Sequence, residues 1–181
     1  MDTCITSNGN KMGTEKELYK IIKDYLEERF RLDGLGESDY SYYLAITSEG
    51  KFPEKILSHV PEHYEIIFSF LKKKNSPDLT GFVKRSYSPD FITVEIKNDT
   101  ITLEDVYQAK RYAGLFRAKY GFLISTKPIP TIIKRLSQRI PILNIMGTSN
   151  QLKLAQFDVE RNRIYRRNWF PESPFRKEPT F

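Results

Sequence analysis

Apolar and polar residues alternate from Ile92 to Lys97, and the stretch from Asp90 to Lys97 sets the frame for the rest of the chain. Phe91 to Ile96 is β-branched and aromatic with no Gly or Pro, which predicts a strand. Side chains alternate faces along a strand, so Ile92, Val94 and Ile96 form a core face. Thr93, Glu95 and Lys97 share the other face, where a carboxylate and an ammonium stand on a strand otherwise built for burial.

Ser76 to Arg85 reads as a second strand, and Ser86-Tyr87-Ser88-Pro89 as the turn between the two. An antiparallel hairpin centred between Ser86 and Tyr87, with no bulge, sets Phe82 opposite Phe91 and Asp78 opposite Glu95. Opposed residues project from the same face, so Asp78, Glu95 and Lys97 are expected to converge. Two facing carboxylates repel unless a cation lies between them, and hard divalent cations prefer oxygen ligands.

Helical periodicity accounts for much of the remainder. Leu18, Ile21, Ile22, Tyr25 and Leu26 predict a helix from 15 to about 32, with Thr14 as cap and Gly34 and Gly36 beyond its end. On it, Glu15 lies near the apolar face and Glu17 points aside. Leu103, Val106, Ala109, Ala113 and Phe116 predict a helix to about Lys119, capped by Thr102. Gln108 and Tyr112 are one turn apart on a different face of it. Further strands are expected at 64–71, 120–125 and 140–145, a helix at 128–139, and a terminal hairpin over 151–169. Within 37–62, Tyr40 to Ile46 reads as a possible strand and Glu54 to His59 as a short helix; the Gly50 and Pro53 breaks mark the stretch as an insertion. The expected domain spans 14–170, between a polar tail at 1–13 and a Pro-rich, loosely held tail at 171–181. This order of elements predicts an α/β protein with a mixed central sheet flanked by helices.

Composition narrows the function classes. The 181 residues carry a formal net charge of +6, a mild basic excess compatible with a nucleic-acid partner. The single cysteine, Cys4, excludes an internal disulfide and points to a reducing, cytoplasmic setting. No signal peptide is evident, and no apolar run approaches the roughly 20 residues of a membrane helix. Lys72 to Lys74, Lys110-Arg111, Arg117 to Lys119, Lys134-Arg135 and Arg161 to Arg167 are basic groups available to phosphates. Tyr87 and Trp169 are aromatics able to stack on bases.

Pro77-Asp78, Glu95-Ile96-Lys97 and the helix bearing Gln108 and Tyr112 together resemble the PD-(D/E)xK, or restriction-endonuclease-like, nuclease superfamily. Gln108 and Tyr112 are similar to the Gln-x-x-x-Tyr element of its RecB-type members, and the likeness covers roughly residues 14–126. The resemblance implies an αβββαβ core and a metal-dependent nuclease acting on DNA. It implies that Asp78 and Glu95 ligate Mg²⁺ or Mn²⁺, with help from the Ile96 carbonyl and from Glu15 on the first helix. It further implies that Lys97 assists the attacking water, that Gln108 supports the site, and that Tyr112 lies near the nucleic-acid backbone; Lys110 and Arg111, as a basic pair, are expected to bind the nucleic acid too. By the same analogy a homodimer suits cleavage of two strands.

Several motifs have plainer readings. Glu49-Gly50-Lys51 is a second Glu-x-Lys, but glycine sits at its centre and no strand flanks it. Asp90 is too close to Glu95 along one strand to oppose it. His59 and His63 are separated by Pro61 and lack a third ligand. Two rival functions remain: a non-catalytic nucleic-acid-binding module on the same fold, and a basic α/β protein that binds a protein partner through 37–62.

Overall fold

The computed structural model describes residues 15–60, 65–71, 75–85 and 87–177, apart from the side chains of Glu15, Glu65 and Ile66. Six strands form one mixed sheet in sequence order: β1 (Ser41–Ile46), β2 (Leu79–Lys84), β3 (Pro89–Lys97), β4 (Tyr120–Ser125), β5 (Lys153–Gln156) and β6 (Trp169–Phe170). The β1/β2 and β2/β3 pairs are antiparallel, β3/β4 and β4/β5 parallel, and β5/β6 antiparallel. The hairpin register is the expected one, with Phe82 opposite Phe91 and Thr80 opposite Thr93.

Alternation along β3 divides the core. Ile92, Val94 and Ile96 pack with Ile22, Leu26 and Phe30 of α1 (Glu15–Asp33). Each such aliphatic or aromatic side chain contributes roughly 1.5–3 kcal/mol by leaving water. The opposite face is covered by α4 (Leu103–Leu115) and α5 (Thr131–Ser137). Two short helices complete this side, α2 (Glu54–Leu57) against β2 and α3 (Glu65–Phe70) beside α4. Ile67 and Phe68 of α3 pack into a cluster with Phe82, Phe91 and Phe116. Gly81 is required by close approach: a Cβ there would collide with the Tyr43 carbonyl oxygen of the neighbouring strand.

Four expectations are corrected. Residues 65–70 are helical rather than extended, because Ile67 and Phe68 bury against the α4 side instead of pairing in the sheet; Tyr64 lies outside the described residues. The first strand of the meander is therefore β1, so the 37–62 stretch contributes a strand to the sheet. Residues 140–145 form no strand; the place beside β4 is taken by β5, and only Asn144 bridges to Gln151. The segment after Pro171 is docked as far as Lys177. Phe175 is 3 % exposed and packs edge-on against Phe30, and Asp33 accepts hydrogen bonds from the Arg176 and Lys177 amides. Among the described residues no helix is long and apolar enough to cross a membrane.

Candidate active site

The polar residues of β3 gather where the strand ends and α4 begins. Continuing the β2/β3 ladder one residue past Leu79↔Val94 sets Asp78 across from Glu95. Asp78 is 8 % exposed, and its Oδ2 accepts a hydrogen bond from the Ile96 amide at 2.7 Å. A side-chain oxygen thus occupies the place of the next ladder carbonyl. The approach to Asp78 is pinned by Thr47, just beyond β1. Its hydroxyl donates to the Pro77 carbonyl at 2.8 Å, its amide donates to the Asp78 carbonyl at 2.8 Å, and its carbonyl accepts from the Ser76 hydroxyl at 2.8 Å.

Glu95 is 5 % exposed. Its Oε1 accepts from Gln108 Nε2 at 2.9 Å and meets Lys97 Nζ at 3.2 Å. Its Oε2 is buried with no hydrogen-bond partner among the described residues. A buried carboxylate oxygen left in that state costs on the order of 1–3 kcal/mol, more when charged. Burial foremost, and the Asp78 charge next, push the Glu95 carboxyl up to about 8 against the opposing pull of Lys97. At neutral pH a proton therefore satisfies this carboxyl unless another cation does so.

Lys97 Nζ also lies 3.2 Å from Asp105 Oδ1. Burial pulls the Lys97 pKa down, but the Glu95 charge and the hydrogen bonds to Glu95 and Asp105 outweigh it, and the net shift is upward. Asp105 is fixed in turn by the capping box of α4, where its Oδ2 accepts from the Thr102 amide and hydroxyl, each at 2.8 Å. Burial raises the Asp105 pKa, yet those bonds and Lys97 leave it lowered overall. The ammonium is thus clamped between an acid of the sheet and an acid of the helix start.

The structure brings together Asp78, Glu95, Lys97 and Gln108 as expected, with the Ile96 peptide tied to Asp78. Tyr112 differs. It is 1 % exposed, in one apolar cluster with Phe82 and Phe91, so it presents no open surface to a bound polymer. Lys110 and Arg111 lie on the outer side of α4. Glu15 opens α1, and its side chain lies outside the description, as do Thr14, His63 and Lys72 to Lys74. His59 stacks on Phe82 with ring centroids 4.3 Å apart, a packing role. Asp105 and Thr47 are site residues that the sequence reading missed. Asp105 carried a signal, since it lies three residues before Gln108 on one helix. Thr47 carried none.

Among the described residues no group of three or more His, Cys, Asp or Glu side chains comes together in an arrangement able to hold a metal ion. Asp78 and Glu95 are nonetheless a hard-oxygen pair of the kind Mg²⁺ and Mn²⁺ accept, and the partnerless Glu95 Oε2 fits a cation. No protein-family model matches the sequence, and no curated protein and no solved structure matches it.

Proposed function

We propose that this chain is a metal-dependent nuclease that hydrolyses phosphodiester bonds, in DNA rather than RNA, on an αβββαβ restriction-endonuclease-like core. The observation that carries the reading is the burial of two carboxylates, Asp78 and Glu95, on one polar patch with Lys97 and Gln108. Burying like charges together costs several kcal/mol and gains nothing for packing, whereas a divalent cation makes the arrangement favourable. Asp78 and Glu95 would hold Mg²⁺ or Mn²⁺, with the Ile96 carbonyl and Glu15 as further donors. When bound, the ion supplies charge neutralisation at the phosphate and a water of lowered pKa.

The chain's own residues do the rest. Gln108 fixes the Glu95 carboxylate by donating to one oxygen, which leaves the other for the ion. Lys97 keeps its proton beside two acids and places positive charge where negative charge grows on the phosphate. The test is Asp78→Ala, Glu95→Ala and Lys97→Ala, singly and together, assayed on labelled linear, circular and single-stranded DNA with Mg²⁺ and Mn²⁺. Each substitution is expected to lower cleavage by about a hundredfold or more. Undiminished cleavage by the folded triple variant overturns the proposal. Salt-dependent DNA binding by the wild type, with no turnover on any substrate, would assign the fold to a binding module instead.

A further inference from the structure

The outer side of α4 carries a groove of about 610 Å³ that the carboxylate cluster does not use. Tyr107, Lys110, Arg111 and Gly114 recur at helical spacing and line it as one stripe, beside the stripe that bears Gln108. The floor is apolar, made by Ile67 of α3, Leu115 of α4 and Met146 of the loop before β5. Met146 is 84 % exposed and Tyr107 46 % exposed, so large apolar surface stands open to solvent here.

The rim has one sign of charge. Lys110, Arg111 and Arg117 line the groove, and among the described residues no carboxylate does. Arg111 donates to Asn75 Oδ1 at 2.9 Å, which uses one of its five donors and sets the fork in place. Burial pulls the Lys110 pKa down, so its ammonium is short of water and gains from an arriving anion. Gly114 adds an independent sign. A glycine inside a helix costs about 1 kcal/mol relative to alanine. A Cβ at this position would meet Met146 only at 3.8 Å, an ordinary contact, so packing does not demand glycine. Its effect is to keep the groove deep.

We propose that this groove binds a single strand of nucleic acid, with bases lying on Tyr107 and the apolar floor and phosphates on the three rim cations. The proposal rests on the nuclease reading and names the form of substrate that the enzyme holds beside its site. A duplex turns only its phosphates and base edges outward, so an open apolar floor has nothing to receive from it. A single strand offers an anionic backbone and free aromatic faces together, which matches cations around an apolar, aromatic strip. From Tyr107 to Gly114 the stripe runs roughly 10 Å along the helix, about three stacked nucleotides, and Arg117 lies just past the helix end.

The test is fluorescence anisotropy of the full chain with a short fluorescein-labelled thymidine oligonucleotide, and with a hairpin duplex of the same length, both in EDTA. The single strand is expected to bind about tenfold tighter or more. Tyr107→Ala should weaken it about tenfold through lost stacking. Gly114→Leu should do the same by filling the groove while leaving every charge in place. Lys110→Ala and Arg117→Ala should each flatten the dependence of log affinity on log salt by about 0.7. Equal affinity for hairpin and single strand overturns the proposal. So does unchanged affinity in folded Tyr107→Ala and Gly114→Leu, or tighter binding of a Leu- and Glu-rich peptide than of the oligonucleotide. The assay reads binding without turnover, so the two proposals fail separately. An inactive protein that still prefers single strands through this groove sinks only the nuclease. A cleaving protein indifferent to the groove variants sinks only the groove.

Discussion

The two faces of β3 are built from alternate residues of one strand, yet they obey different rules. On the α1 side Ile92, Val94 and Ile96 meet Leu26, Phe30 and Phe122, and size and shape decide what fits. On the α4 side Thr93 faces Thr80, and Glu95 and Lys97 follow, so hydrogen bonds and charge decide. The first face tolerates an apolar exchange of similar volume. The second does not, because every polar atom left alone at that depth is costly. From Ile92 onward β3 therefore gives aliphatic packing to one side and titratable chemistry to the other, separated by the thickness of a single backbone, while the α4 side keeps apolar clusters of its own around Leu123 and Phe116.

The largest effect that would sharpen this contrast lies on the apolar side. Phe122 is 1 % exposed, with Trp169 5.5 Å away between ring centroids and Phe30 at 6.4 Å. Phe122→Ala should cost about 3–5 kcal/mol in urea unfolding. Glu95 should keep its elevated pKa in that variant, followed by the carboxyl signal in NMR titration. A loss below about 1 kcal/mol would mean that the apolar face does not carry the fold.

The next effect belongs to the polar side and depends on pH. The Glu95 carboxyl titrates at about 8 in the folded chain against an ordinary 4.5. Between those values the folded state binds the proton that the unfolded state has released. The stability that Glu95 contributes without metal is then fully present below about 4.5 and is lost as pH climbs through about 8, by on the order of a few kcal/mol. Glu95→Gln should remove that slope in EDTA. A wild-type slope of the opposite sign over this window would show that Glu95 is ionised and satisfied in the resting fold.

The smallest effect concerns Asp105. Asp105→Asn keeps an oxygen for the Thr102 donors but removes the charge that holds Lys97 from the helix side. Cleavage kcat should fall about tenfold with KM for nucleic acid unchanged, and the melting temperature should drop only slightly, because the fold favours the ionised form of Asp105. If kcat holds and only stability drops, Asp105 is a helix cap and nothing more.

How much of this was readable in advance follows from the range of the interactions. The hairpin register was legible because alternation and a short turn fix it locally, and Phe82 does face Phe91. The Thr102 cap was legible for the same reason. The 65–70 stretch was not, since a short apolar run suits a strand or a buried helix equally. Its partners Phe52 and Phe116 are distant in sequence and decide the matter. Phe175 was hidden by its proline-rich neighbours, although its ring seals the end of the α1 core. Within the site, Asp78, Glu95 and Lys97 were visible from spacing along one hairpin. The link from Lys97 to Asp105 joins a strand to the helix after it, and a satisfied cap already gave that aspartate a reason to exist.

The clamp on Lys97 has a consequence for order. Asp78, Glu95 and Asp105 against one lysine leave one negative charge while Glu95 holds its proton and two once it gives the proton up, the amount one divalent ion cancels. The rest of a chain with net charge +6 is more basic still. A polyanion approaching the bare cluster is drawn toward the molecule yet turned away from its centre. With the ion seated, that last repulsion vanishes. At the cluster itself the ion should then seat before the phosphate, and a starved enzyme would keep its substrate in the outer groove of α4.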